Sequence, residues 1–137
     1  MAEAGIQMMA EPALGGPSYA QGYVPPPLNW VDRGRTFDIG VEICVPVDCY
    51  VDVLVIEEFE RTKLGASQLK YYASGVGNVR VDWRGKNEDE KEELELVSFR
   101  QLGDREMEEV RDAVTELDER AFRRLPGYRS TTPVVVS

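Results

Sequence analysis

The chain of 137 residues contains no histidine at all. That absence removes Ser-His-Asp and Cys-His mechanisms, the usual imidazole metal sites and the commonest general base. Cysteine is nearly as scarce. Cys44 and Cys49 stand alone around Pro46-Val47-Asp48, too few and wrongly spaced for the four Cys/His ligands of a zinc site. If the flanking strands pair across that turn, the two sulfurs face each other at a distance a disulfide spans; otherwise they are two small, part-buried thiols. Positive charge is in deficit, with 16 Lys and Arg against 25 Asp and Glu and a formal net charge of −9. Affinity for nucleic acid comes mostly from clustered cations that release counterions, so no DNA or RNA partner is expected. No run reaches the roughly 18 consecutive apolar residues of a membrane-spanning helix, and no basic, apolar, small-residue leader opens the chain. The expectation is a chain that neither spans a membrane nor carries a classical export signal, and that uses no cofactor.

What is present fits one globular domain, 42% hydrophobic and with 12 glycines. Residues 1–34 hold most of the eight prolines, including Pro25-Pro26-Pro27, and apolar residues without a steady period. They read as an extended arm. Ile6, Met8, Met9, Leu14, Tyr19, Tyr23, Leu28 and Trp30 make it too apolar for a solvated tail, so it is expected to line the protein's own sheet. From Arg35 the pattern changes: Phe37, Ile39, Val41, Ile43 and Val45 alternate with smaller or polar residues, the period of a strand with one buried face. After Pro46, Tyr50 to Phe59 places Val51, Val53 and Val55 on one side and Leu54 and Ile56 on the other, which marks a central strand. Two further strands follow, Gln68 to Ala73 and Val79 to Trp83, joined by a turn at Gly75-Val76-Gly77-Asn78. Six acids between Glu88 and Glu95 form a hairpin tip, and Leu94, Leu96, Val97 and Phe99 support a fifth strand. The short connections imply an antiparallel meander over residues 35–101.

Met107, Val110, Val114, Leu117 and Ala121 recur at intervals of three and four, which predicts an amphipathic helix over 104–125. Gly103-Asp104 offers its N-terminal cap, Arg120, Arg123 and Arg124 suit its C-terminus, and Pro126-Gly127 stops it. Its stripe is expected to dock on the sheet. Residues 126–137 form a tail, either frayed or added as an edge strand through Val134, Val135 and Val136.

No residue set carries an obvious reaction. Gly75-Val76-Gly77 lacks the rest of a dinucleotide or phosphate loop, and the acidic run matches no calcium loop. Glu57 and Glu58 are adjacent on a strand and point to opposite faces, which spoils them as an acid–base pair on one substrate. Tyr71 and Tyr72 split in the same way. Glu58 shares a side with Leu54 and Ile56, and enclosure there would raise its pKa.

The string Leu69-Lys70-Tyr71-Tyr72-Ala73-Ser74-Gly75-Val76-Gly77-Asn78-Val79 resembles the K-Y-Y-A-P-G-V-G-x-V motif of a family of secreted or envelope-associated bacterial proteins of unknown function. Ala4-Gly5-Ile6-Gln7-Met8, Ser18-Tyr19 with Gln21 and Tyr23, the hairpin from Val45-Pro46 to Val55, and Arg120-Ala121-Phe122 are similar to further segments of that family. Ser74 stands where the family has proline. The resemblance implies a curved antiparallel sheet with an arm and a helix, and an envelope or secreted location. It covers what corresponds to the family's second half, which implies a truncated gene or a fragment of a longer protein. It supplies no reaction.

The fold expected is α+β, a five-stranded twisted antiparallel meander with one long C-terminal helix and an extended N-terminal arm. The function expected is non-catalytic: a binding or structural module that presents Leu54, Ile56, Glu58 and Tyr72 to an apolar small molecule or a protein partner, a second copy of the chain included. The competing reading is a histidine-free enzyme that uses Glu58 with Tyr72. A remnant without selected activity is the third.

Overall fold

In this computed structural model the residues described are 3–27, 29–61, 65–86, 89, 91–130 and 132. The chain forms two compact units, residues 1–99 and 100–137. Within the first, the strands are β1 (Glu3–Ala4), β2 (Tyr19–Ala20), β3 (Gly22–Tyr23), β4 (Asp32–Cys44), β5 (Cys49–Glu60), β6 (Ala66–Ala73), β7 (Gly77–Gly85) and β8 (Leu94–Glu95). Six of them make one sheet in the order β2-β4-β5-β6-β7-β8, antiparallel at every junction, and β1 pairs with β3 as a separate ribbon. The fold is α+β, as expected, but the described sheet has six strands rather than five. The added one comes from the arm, where Tyr19 and Ala20 pair with Gly34 and Arg33.

β5 is central because it is apolar on both faces. Val53, Val55 and Ile56 are all essentially inaccessible to solvent although Val55 and Ile56 point to opposite sides. The main core lies on the Val53 face, where Ile43, Val53, Ala73 and Val79 cluster beneath Val41, Tyr50, Tyr71, Val76 and Leu96. β4 departs from the regular alternation read from its sequence. Its pairing with β5 shifts register between Thr36 and Asp38, between Asp38 and Val41, and between Val41 and Ile43, with Gly40 at φ +77°. Each shift inserts unpaired residues and interrupts the side-chain alternation: Ile43 and Val45 are buried and Ile39 is exposed, while Phe37 is 37% exposed beneath the Arg84 guanidinium. The last shift also displaces Val51, which the regular period puts beside Val53 and which is 66% exposed. β6 and β7 meet at a tight turn with Gly75 at φ +74° and Gly77 at φ +110°, closed by the Val76 N–H on the Ala73 carbonyl at 3.2 Å. The expected fifth strand is only two residues long, extended by one further bond from the Leu96 N–H to the Val79 carbonyl. Asn87, Glu88 and Glu90 of the expected acidic tip lie outside the described residues, as does Leu28 of the arm.

The arm is tied to the sheet rather than merely extended. The Ile6 N–H bonds the Ala20 carbonyl and the Gln21 N–H the Asp32 carbonyl, both at 2.9 Å. Close approach is what Gly34 permits: a Cβ there would lie 2.8 Å from the ring of Tyr19, its cross-strand partner.

The second unit contains α1 (Asp104–Arg124) and a short 3₁₀ turn, Tyr128–Ser130. Gly103 caps α1, with its N–H donated to Glu106 Oε2 at 3.1 Å, and Arg100 pairs with the other oxygen of Glu106 at 2.8 Å. The helix ends where Leu125 bonds the Ala121 carbonyl and Pro126 forbids another turn. Arg129 then reaches back to the Arg123 carbonyl. No helical residue is buried, and Met107, Val110, Val114 and Leu117 are exposed along one stripe. No helix of the described residues is long and apolar enough to cross a membrane. Val134, Val135 and Val136 lie outside the described residues.

Candidate functional site

The sheet face opposite the main core carries the tyrosine-bearing set. Register places Leu54 directly opposite Tyr72, Ile56 opposite Lys70 and Glu58 opposite Gln68, all on one side. Ile56 is wholly enclosed, with Thr36 opposite it on β4, and so contributes packing but no accessible surface. Glu58 is committed: its Oε2 meets Lys70 Nζ at 2.5 Å and its Oε1 accepts from Gln21 Nε2 at 2.7 Å. The arm crosses this face. Gln7 donates from Nε2 to the Tyr72 hydroxyl at 3.1 Å, and its backbone carbonyl accepts from Gln21 Nε2 at 3.2 Å and from the Tyr19 hydroxyl at 3.4 Å. Burial, then the charge of Glu58 and the neighbouring Tyr72, push the Tyr19 hydroxyl pKa upward, so it stays a proton donor. Tyr71 faces the other way, over the core and beneath the Arg80 guanidinium at 5.9 Å.

Glu58 and Tyr72 line different depressions. Glu58 borders one of about 180 Å³ together with Asp32, Phe59, Glu60, Gln68 and Trp83. Asp32 there is held above the usual carboxylate range, chiefly by desolvation, with the charges of Glu60 and Glu58 adding to it and a Trp30 hydrogen bond opposing. Tyr72 and Leu54 instead line an open groove of about 490 Å³ with Met8, Asp52 and the turn residues Ala73 to Gly77. Its lining is mostly apolar, and Asp52 is the only charged residue among the described ones along it. The arm supplies Met8, β5 supplies Asp52 and Leu54, and the positive-φ turn supplies a rim without bulky side chains.

The opposite face holds a different device. Glu57 is 4% exposed, yet it is saturated: Arg35 Nε and Nη2 reach its Oε2 at 2.6 and 2.5 Å, and Ser67 Oγ donates to Oε1 at 2.6 Å. Arg84 stands 3.7 Å from Oε1. Each guanidinium also lies over a ring, Arg35 over Phe59 and Arg84 over Phe37. This is a buried carboxylate satisfied by its neighbours, which gives β4, β5, β6 and β7 a common polar tie. Among the described residues no group of three or more His, Cys, Asp or Glu side chains is placed to hold a metal ion.

Cys44 and Cys49 are direct cross-strand partners, with Cα atoms 4.0 Å apart and their sulfurs bonded. Gln7, Gln21 and Lys70 are the partners that sequence reasoning missed. Lys70 was findable, since it lies two residues before Tyr72 on the same face; the two glutamines reach the site only through the folding-back of the arm. In comparisons with family models, with curated proteins and with solved structures, the chain has no match.

Proposed function

We propose that the protein is a non-catalytic binding module whose sheet takes a small apolar molecule in the groove between Met8, Leu54, Tyr72 and the β6–β7 turn. The observation that carries this reading is the groove itself: about 490 Å³, mostly apolar in lining and built from three separately anchored segments. Its volume falls in the range of small-molecule sites. The carboxylate-enzyme alternative is weaker, because Glu58 and Tyr72 line separate depressions and both Glu58 oxygens are engaged. A strand-adding protein partner, or a second copy pairing at the sheet edge, is also less favoured. Beyond Gly34 no described strand pairs with the outer edge of β4, but three register shifts break that edge and Asp38 Oδ1 takes the Ile39 N–H at 2.8 Å. The resemblance of Leu69–Val79 to an envelope-associated family sits beside this reading and adds no ligand.

Titration with the neutral fluorophore N-phenyl-1-naphthylamine tests it. The expected result is saturable enhancement with the wild-type chain and its loss in Leu54→Asp and in Val76→Asp, both checked for native circular dichroism. Absence of binding to the wild type, or undiminished binding by either folded variant, overturns the assignment.

A further inference from the structure

Resting on that groove, we infer the chemical class of its ligand: an amphiphile with an apolar tail and a cationic head, the head held by Asp52. Among the described residues that line the groove, Asp52 is the only charged one, and no lysine or arginine is among them. The other polar side chains of the lining, the Tyr72 and Ser74 hydroxyls, carry no charge, and the Tyr72 hydroxyl already accepts from Gln7. Asp52 is exposed, and no described side chain bonds or pairs with its carboxylate, so its acceptor capacity faces outward.

Asp52 sits inside β5 at φ +54°, where the β4–β5 register shifts between Val41 and Ile43. Aspartate and asparagine are the side-chain-bearing residues that enter this region most readily, so the bulge accommodates Asp52 and leaves its exposed carboxylate on the groove's lining. An apolar channel with one carboxylate at its side favours a protonated amine joined to a hydrocarbon, since the tail is desolvated along Leu54, Ala73 and Val76 while the head stays near water. An anionic amphiphile meets Asp52 directly and the −9 charge of the chain more generally.

Calorimetric titration with octylammonium, 1-octanol and octanoate, each below its aggregation threshold, separates the contributions. At low salt the wild type is expected to favour octylammonium over octanoate by at least about fivefold, the scale of a solvent-screened ion pair. Asp52→Asn keeps a side chain that tolerates positive φ and changes the total charge little; it is expected to cut that preference below about twofold while octanol still binds. A preference that survives in Asp52→Asn overturns the assignment, because the general field of the chain then accounts for it. Equal binding of all three by the wild type also overturns the charged head and leaves the apolar groove standing. Failure of all three to bind removes both.

Discussion

Replacing Glu57 isolates the polar tie on the core side of the sheet. The carboxylate is 4% exposed and receives two contacts from Arg35 and one from Ser67, all at 2.6 Å or less. A hydrogen bond to a charged group contributes about 1.5–3 kcal/mol where it is dry. Arg35 is 48% and Arg84 59% exposed, however, and water re-solvates them when Glu57 is lost. Halving the Arg35 contribution for that screening leaves a cost near 2 kcal/mol for Glu57→Gln, below the about 3–5 kcal/mol of a fully buried pair. The distances also rank the partners. Coupling of Glu57 to Arg35 in a double-mutant cycle is expected at about 1–1.5 kcal/mol, and coupling to Arg84 at under about 0.5 kcal/mol. Urea unfolding followed by tryptophan emission reads all of these. A Glu57→Gln variant within about 0.5 kcal/mol of wild type, or an Arg84 coupling larger than that of Arg35, would refute the reasoning.

Two further predictions concern stability. Asp32 has its pKa raised above 3.8, mainly by burial, so its charged form is penalised in the folded chain. The folded state therefore holds the proton more tightly, and the associated stability is present in acid and lost as pH rises through the folded pKa. Asp32→Asn is expected to be more stable than wild type at pH 7, with the gain vanishing below pH 3.8; a gain that grows on acidification would contradict the sign. Reduction of Cys44–Cys49 opens a link of sequence separation 5 and is expected to cost about 2 kcal/mol by loop-closure entropy. Thermal melts with and without reductant check this, and an unchanged Tm would show that the link contributes nothing.

The sheet was legible in sequence where periodicity is long and uninterrupted. The two-sided apolar run of β5 and the three-four spacing of α1 each rest on several residues repeating one pattern, and the β6–β7 turn rests on its two glycines, Gly75 and Gly77. The arm's strands were not legible, since two residues such as Tyr19-Ala20 carry no period and only their partners, Arg33 and Gly34, reveal them. β4 misled for the opposite reason. Its alternation from Phe37 to Val45 looked regular, but three register shifts interrupt it and leave Ile39 exposed. Of the candidate residues, Leu54 and Tyr72 meet as direct cross-strand partners of β5 and β6. That Ile56 is sealed and Glu58 tied by Gln21 depends on how residues far apart in the chain return, and no local pattern records it. Asp52 escaped notice because a positive φ leaves no mark on an aspartate.

Whether the groove beside the β6–β7 turn is the binding surface can be read from amide and methyl chemical shifts during titration with 1-octanol. Saturable changes are expected, centred on Met8, Leu54, Tyr72 and Val76, with α1 unaffected. Changes centred instead on Met107, Val110, Val114 and Leu117, or no saturable change anywhere, would contradict that assignment.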